Sequence, residues 1–270
     1  MMPNAYGEEV GSKSALPVFK TLLETLHMVL HRPSVLVPMT IGAGLFGLAV
    51  VFISNKVWTG SKEATLSEIN LLAWLMLLAS VLLYAWSVST TILLVAALER
   101  KENLSLSTAL GDGLKRLLPL VLNWVLVLLL LGAVCLPLLI LIPTALERSL
   151  SFTPLEPLGW SLLIGTTVVF FYLLIKYGLV GPAVILGHYG PVTAFTESSR
   201  TVSSQFMRSA GLLLLLMVSG FVLNVALEQI PVVGNFIGHI LTSFWATGTI
   251  ALTYLRLGSQ TVDTHNVGME

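Results

Sequence analysis

The stretch Gly181-Pro182-Ala183-Val184-Ile185-Leu186-Gly187-His188-Tyr189-Gly190-Pro191, running on through Ala194, Ser198, Ser199 and Arg200 to Arg208, decides the fold of this chain. It holds the end of one apolar helix, a Gly/Pro break, a short helix with a polar face, and the start of a second apolar helix. A bilayer core takes roughly 20 apolar residues per helical crossing, so the flanking runs read as spans. The short helix between them, apolar on one side and polar on the other, belongs in the interface plane.

Composition points the same way. The chain has 270 residues, 55% hydrophobic and 10% charged, with a mean hydropathy of +0.89. Soluble domains carry about 25% charged residues, so this sequence cannot supply a water-facing surface all round. A formal net charge of zero gives no basis for nucleic acid as a partner. The lone cysteine, Cys135, lies in an apolar run, which excludes an internal disulfide and suits inert packing. Residues 1–33 are too polar for a secretory leader, so the first apolar segment is expected to stay as a span.

Working outward, the unit recurs. Pro17 opens a helical pattern with Phe19, Leu22, Leu23, Leu26 and Val29 on one side and Lys20, Glu24, His27 and His31 on the other; Arg32-Pro33 closes it. Ser105 to Leu118 repeats the plan: Ser105 can cap, Leu106, Ala109, Leu110 and Leu114 make the apolar face, and Lys115-Arg116 marks the interface. Pro191 to Ser209 is the third copy, with Val192, Phe195, Val202 and Phe206 on its apolar side.

Each copy precedes two spans: Ser34–Ser54 and Ile69–Ala97, Leu117–Pro143 and Trp160–Leu186, Ser209–Leu227 and Val233–Leu257. The expectation is an all-α membrane protein with six transmembrane helices in three repeats of amphipathic interfacial helix plus helical hairpin. The repeats fall at about 14–98, 103–188 and 190–257, within a single membrane domain at 14–257 between disordered tails at 1–13 and 258–270.

Lysine and arginine set the orientation. With the N-terminus inside, Lys13, Lys20, Arg32, Arg100, Lys101, Lys115, Arg116, Arg200, Arg208 and Arg256 face the cytoplasm, against Lys56, Lys62 and Arg148 outside. A plasma (inner) membrane protein with both termini cytoplasmic is expected. Arg32, Lys115, Arg116, Arg200 and Arg208 read as interface anchors, and Trp58, Trp74 and Trp160 as outer belt residues.

Gly181-Pro182-Ala183-Val184-Ile185-Leu186, the turn ending in Gly190-Pro191, and then Ala194, Ser198-Ser199 and Arg208 leading into Leu212–Leu216 resemble the signature of the YciC-like proteins. These belong to a broader group labelled glycerophosphoryl diester phosphodiesterase membrane domain. Leu106–Pro119 and the closing Thr253-Tyr254-Leu255-Arg256-Leu257 also fit, so the resemblance covers roughly residues 70–257. It departs at Pro191, where a plain loop residue is usual, which leaves the length of the third short helix open. The resemblance implies a multi-pass membrane protein, most members of the group being multi-pass membrane proteins without an assigned activity. A minority of the group carry a fused phosphodiesterase, for which this chain has no soluble stretch.

Several constellations invite a chemical reading. Gly42-Ala43-Gly44-Leu45-Phe46-Gly47 spells the dinucleotide fingerprint but lacks a preceding strand and sits inside a span, so helix packing is expected. Gly234 and Gly238 read as a second small-residue packing face. Glu24, His27 and His31 share one helical face at spacings that zinc could use, or they form the wet side of an interfacial helix with Lys20–Glu24 as an i,i+4 pair. Ser198 and Ser199 lack a histidine–carboxylate pair nearby and suit close helix packing.

Lys176 is the most suggestive residue. It lies within the fourth span, where a charge costs about 2.5–3.5 kcal/mol on insertion scales. Glu228, Asn224, Asn123 and Tyr172 are its candidate partners around a polar cavity, and snorkelling toward the Gly178–Pro182 break is the structural alternative. No nucleophile–base pair converges, and no cofactor is called for. The leading expectation is a non-enzymatic scaffold or accessory component contacting membrane lipids and other membrane proteins. The alternative is a small-solute or lipid transporter with its cavity at Lys176.

Overall fold

The computed structural model describes residues 18–59, 71–148, 156–230 and 233–266. The expected N-terminal tail at 1–13 and the end of the chain from 267 lie outside the described residues. Helix α1 (Val18–His31) leads through a 3-10 turn (Pro33–Val35) into α2 (Leu36–Thr59), and α3 (Leu71–Glu99) follows. Then come α4 (Leu106–Lys115), α5 (Leu117–Arg148), α6 (Glu156–Tyr177) and α7 (Val180–Leu186). Helices α8 (Pro191–Ser203), α9 (Phe206–Glu228) and α10 (Val233–Asn266) complete the order.

Six of these segments are long and apolar enough to cross a membrane: Pro33–Val50, Ala73–Glu99, Leu117–Leu136, Leu163–Leu186, Phe206–Leu227 and Phe236–Gly258. They coincide with the expected spans. Among the described residues every element is helical, as a bilayer requires when backbone groups must be satisfied within each segment.

Local chemistry sets the boundaries. Arg32, forced out of helical geometry by Pro33, breaks α1 from α2 at φ −139°. Helix α3 ends with Lys101 in the left-handed region (φ 57°), its N–H bonded to the Leu98 carbonyl while the Glu102 N–H reaches back to Ala97 at 2.8 Å. This pair of bonds satisfies carbonyls that a helix end leaves open. Ser105 caps α4, its hydroxyl accepting from the Thr108 N–H at 3.1 Å.

Packing centres on α3 and α10. The first hairpin folds α2 along α3, and α2 also meets α10. Its glycines make this possible: Gly42 faces Ser87 and Leu83 of α3, and Gly44 and Gly47 face Phe236 and His239 of α10. Helices α5 and α6 form a second hairpin, and α9 and α10 a third. The short helices dock elsewhere: α4 on α3, α8 on α6 and α7, and α1 on α10 and α9.

Three details depart from expectation. The short helices turn mainly small and hydroxyl residues toward the bundle, Thr21 and Thr25 on α1, Ala109 and Gly113 on α4, Ala194, Ser198 and Thr201 on α8, together with Leu22 and Val202. Several of their larger apolar residues point away, as at Phe19, Leu23 and Leu30 of α1, Leu114 of α4 and Val192 of α8, while Val29, Leu106 and Phe195 pack partly against the core. Small residues let backbones approach closely where lipid supplies no hydrophobic drive between helices. Helix α8 stops at Ser203, so Phe206 belongs to α9. Helix α10 continues through Gly258 to Asn266, where a disordered tail was expected from 258.

Candidate functional site

Lys176 lies in the last turn of α6, immediately before the break at Gly178 and Leu179. Its ammonium stands 5.5 Å from the Tyr172 ring centroid and 5.9 Å from that of Tyr177. A cation over an aromatic face is attracted by the ring quadrupole, so the two tyrosines partly replace water around the charge. Tyr172 in turn packs on Phe206 of α9, with ring centroids 5.6 Å apart. The Lys176 carbonyl accepts a hydrogen bond from the buried Ser198 hydroxyl of α8 at 2.9 Å. Ser198 thus pins the broken span to the docked helix.

The structure brings Tyr172 to Lys176, and it gives Asn224 and Asn123 other surroundings. The Asn224 amide donates to the Gly220 carbonyl of its own helix at 3.0 Å. Asn123 is buried in α5 with its side-chain oxygen unpartnered among the described residues. The side chain of Glu228 lies outside the described residues. A cleft of about 40 Å³ opens beside this part of α6, lined by Leu174, Ile175, Leu179, Val202, Leu212 and Leu216 among others. Lys176 is not in its wall. The space there is small and apolar.

The densest polar cluster lies at the other side of the bundle. Arg256 of α10 reaches Glu99 at the end of α3, with Nε at 3.1 Å and Nη2 at 3.0 Å from Oε1. The same guanidinium bonds Glu24 of α1 and donates to the Thr21 hydroxyl at 2.9 Å. A planar guanidinium with five donors can serve several acceptors at once, so one arginine ties three helices together. Glu24, expected on the wet side of α1, therefore faces the protein. Its carboxylate also stands 3.7 Å from Lys20. His27 and His31 remain exposed and stack on each other at 3.8 Å. Among the described residues no group of three or more His, Cys, Asp or Glu side chains is placed to hold a metal.

Two indoles anchor short helices. Trp86 of α3 donates to the Leu110 carbonyl of α4 at 2.9 Å, and Trp245 of α10 donates to the Leu22 carbonyl of α1 at 3.1 Å. One turn further along each long helix stands a threonine. Thr90 lies against Gly113 of α4, and Thr249 shares a 3.3 Å hydroxyl contact with Thr25 of α1. Tyr177, next to Lys176, packs on Phe195 of α8 with ring centroids 5.0 Å apart.

The expected anchors sit at helix junctions. Arg32 is exposed after α1, and Arg200 in the last turn of α8. Arg208 approaches the Gln205 side chain at 3.5 Å. Lys115 donates to Asp112 at 2.8 Å; that bond and its charge hold the Asp112 carboxyl below the usual carboxylate range. Arg116 meets His188 across the chain at 3.4 Å.

Sequence reasoning missed the Arg256–Glu99–Glu24 cluster and both indole donors. Signals for them existed. Glu99 and Arg256 are opposite charges at span ends, and each tryptophan precedes a threonine by four residues, as Trp86 does Thr90 and Trp245 does Thr249. Scans against protein-family models, curated proteins and solved structures find no match to this chain.

Proposed function

We propose that this chain is a multi-pass scaffold or accessory protein of the inner membrane, acting through lipid and protein contacts, with both termini cytoplasmic. The carrying observation is the outward turn of the short helices: Leu30 of α1 is 80% exposed and Val192 of α8 is 72% exposed, while their small residues face the bundle. Helices so arranged present an apolar stripe to the acyl region and leave charged residues at the headgroups. Lysine and arginine bias supports the orientation.

A three-unit plan belongs to the same reading. Each short helix docks on the second long helix of the unit before it, counted in a ring: α4 on α3, α8 on the α6–α7 pair, α1 on α10. Trp86 with Thr90, and Trp245 with Thr249, make equivalent contacts in two of the three. Membership of the YciC-like group is proposed on the same footing, resting on the residues of 181–216 that resemble it.

The test is extraction from native membrane followed by mass spectrometry of the intact particle. Retained lipid or protein is expected, and a chain that comes away bare of both defeats the scaffold reading. One observation favours a transporter instead: Ser89, Thr91 and Asn123 carry buried side-chain oxygens without partners among the described residues. Unsatisfied buried polar atoms call for an explanation such as water or a passing solute. In that case Asn123→Leu would abolish uptake into proteoliposomes while leaving the melting temperature within a few degrees.

A further inference from the structure

We propose that Arg116 and His188 form a binding site for the phosphate of an anionic phospholipid, at the junction of α4 with α5 and the loop from α7 to α8. This rests on the lipid-contact reading and names the lipid chemistry. Both residues stand at a membrane border. Arg116 directly precedes the span starting at Leu117, and His188 follows by two residues the span ending at Leu186. Their contact, 3.4 Å between Arg116 Nη2 and His188 Nε2, brings these two borders to the same level.

Three features make this pair differ from an ordinary interface anchor. First, a guanidinium faces an imidazole, and among the described residues no carboxylate is paired with either. The nearby Asp112 is already held by Lys115 at 2.8 Å. Second, His188 is held in the left-handed region at φ 56°. Such a backbone is uncommon outside glycine and persists where the surroundings over-determine it. Here the Gly187 and Tyr189 N–H groups both return to the Ala183 carbonyl, at 3.1 and 3.4 Å, and fix the loop. Third, the surroundings suit an amphiphile: Leu114, Leu118 and Val192 are exposed apolar side chains on the adjoining helices.

The chemistry follows from the donors. Arginine offers a planar fork that matches two phosphate oxygens, and the imidazole can offer a ring N–H from the other side. A phosphate seated between them would accept from both, replacing a contact at the long limit of hydrogen bonding. The exposed leucines and valine then lie where acyl chains begin. A free phosphate would use the same donors but gain nothing from the apolar rim.

The experiment uses the full chain in neutral detergent, with native mass spectrometry of retained phosphatidylglycerol and phosphatidylcholine offered at equal concentration. Preferential retention of phosphatidylglycerol is expected. It should weaken on the order of tenfold in Arg116→Gln and in His188→Gln, the value of one charge-assisted hydrogen bond. Arg116→Lys should recover part of it, because the charge returns without the fork. Arg208→Gln, the same charge loss at another junction, should leave retention unchanged. Three results would overturn the site: no preference for phosphatidylglycerol, an equal loss in Arg116→Gln and Arg208→Gln, or retention untouched by either site variant. Inorganic phosphate competing at equal concentration would overturn the lipid assignment. A variant that fails to fold is replaced by the other, since His188 is exposed and Arg116 half-buried, and the two make independent readouts. If protein partners co-purify while phosphatidylglycerol is not retained, this site fails and the scaffold reading stands.

Discussion

Within the bilayer-length window of α3, 61% of residues are buried inside the protein, and within that of α10, 56%; for α5 and α9 the share is 11% each. The buried pair is the less apolar one. The mean hydropathy of those windows is 2.0 and 1.2 for α3 and α10, against 2.6 and 2.4 for α5 and α9. Helix α3 buries Ser80, Ser87, Ser89, Thr90 and Thr91, and α10 buries Ser243, Thr247, Thr249 and Thr253. Helices α5 and α9 instead expose Leu128, Leu129, Leu214 and Phe221. Lipid tails are as apolar as leucine, so leucine has no reason to face inward, whereas small and hydroxyl side chains gain from close packing and shared hydrogen bonds. The contrast separates a polar, closely packed centre from an aliphatic rim.

The sharpest way to break this contrast is a pair of glycine substitutions. A Cβ added at Gly42 would stand 2.7 Å from the Leu83 carbonyl oxygen and closer still to Ser87 Oγ, whereas at Gly132 of α5 nothing lies within 4 Å. Gly42→Ala is expected to cost about 3 kcal/mol through forced separation of α2 from α3. Gly132→Ala should instead stabilise by roughly 0.5 kcal/mol, from helix propensity alone. Thermal unfolding in detergent reads both. Equal effects at the two sites would erase the distinction between centre and rim.

Next comes Arg256→Gln, which leaves Glu24 and Glu99 facing each other without their shared cation. The arginine side chain is 19% exposed and its carboxylates about a third exposed, so solvent screening takes part of the cost. A loss of about 2 kcal/mol is expected, below that of a fully buried pair. Faster hydrogen exchange should appear in 18–31 and not in 106–115.

Trp86→Phe and Trp245→Phe sharpen the comparison within the centre. Each removes one indole donor to a short helix and should cost about 1 kcal/mol. Matching costs, each with exchange confined to the helix that the indole anchors, would support the unit plan; a cost at one site alone would count against it. The smallest effect belongs to Asp112. Its carboxyl is lowered in the folded chain, so the Lys115 bond contributes above the unfolded carboxylate value and is lost as pH falls. The melting temperatures of the native chain and Asp112→Asn should therefore converge in acid, with a difference at neutral pH smaller than any above.

The spans and short helices were legible because lipid imposes length and uncharged composition, and because Ser105, Pro33 and Pro191 punctuate the sequence. The facing of the short helices was not. Periodicity marks an apolar side but does not say whether protein or lipid covers it; Thr21 and Thr25 turned inward because α10 offered Thr249 and Arg256 as partners. Lys176 was conspicuous for its depth, yet its neighbours Tyr172 and Tyr177 are on its own helix. Arg256 looked ordinary at a span end. The meeting of Glu99 with Arg256 spans 157 positions, a separation that no local pattern encodes.

The bond from Ser198 to the Lys176 carbonyl bears on how the chain is made. Its two ends are 22 residues apart, so the fourth span leaves the ribosome before the serine that completes it. A carbonyl left open in hydrocarbon is costly, which favours holding that segment at a wet site during synthesis. On this view the third short helix works as a closing stitch: a truncation ending before residue 198 should still insert the span but leave its end around Lys176 looser, read as faster hydrogen exchange there.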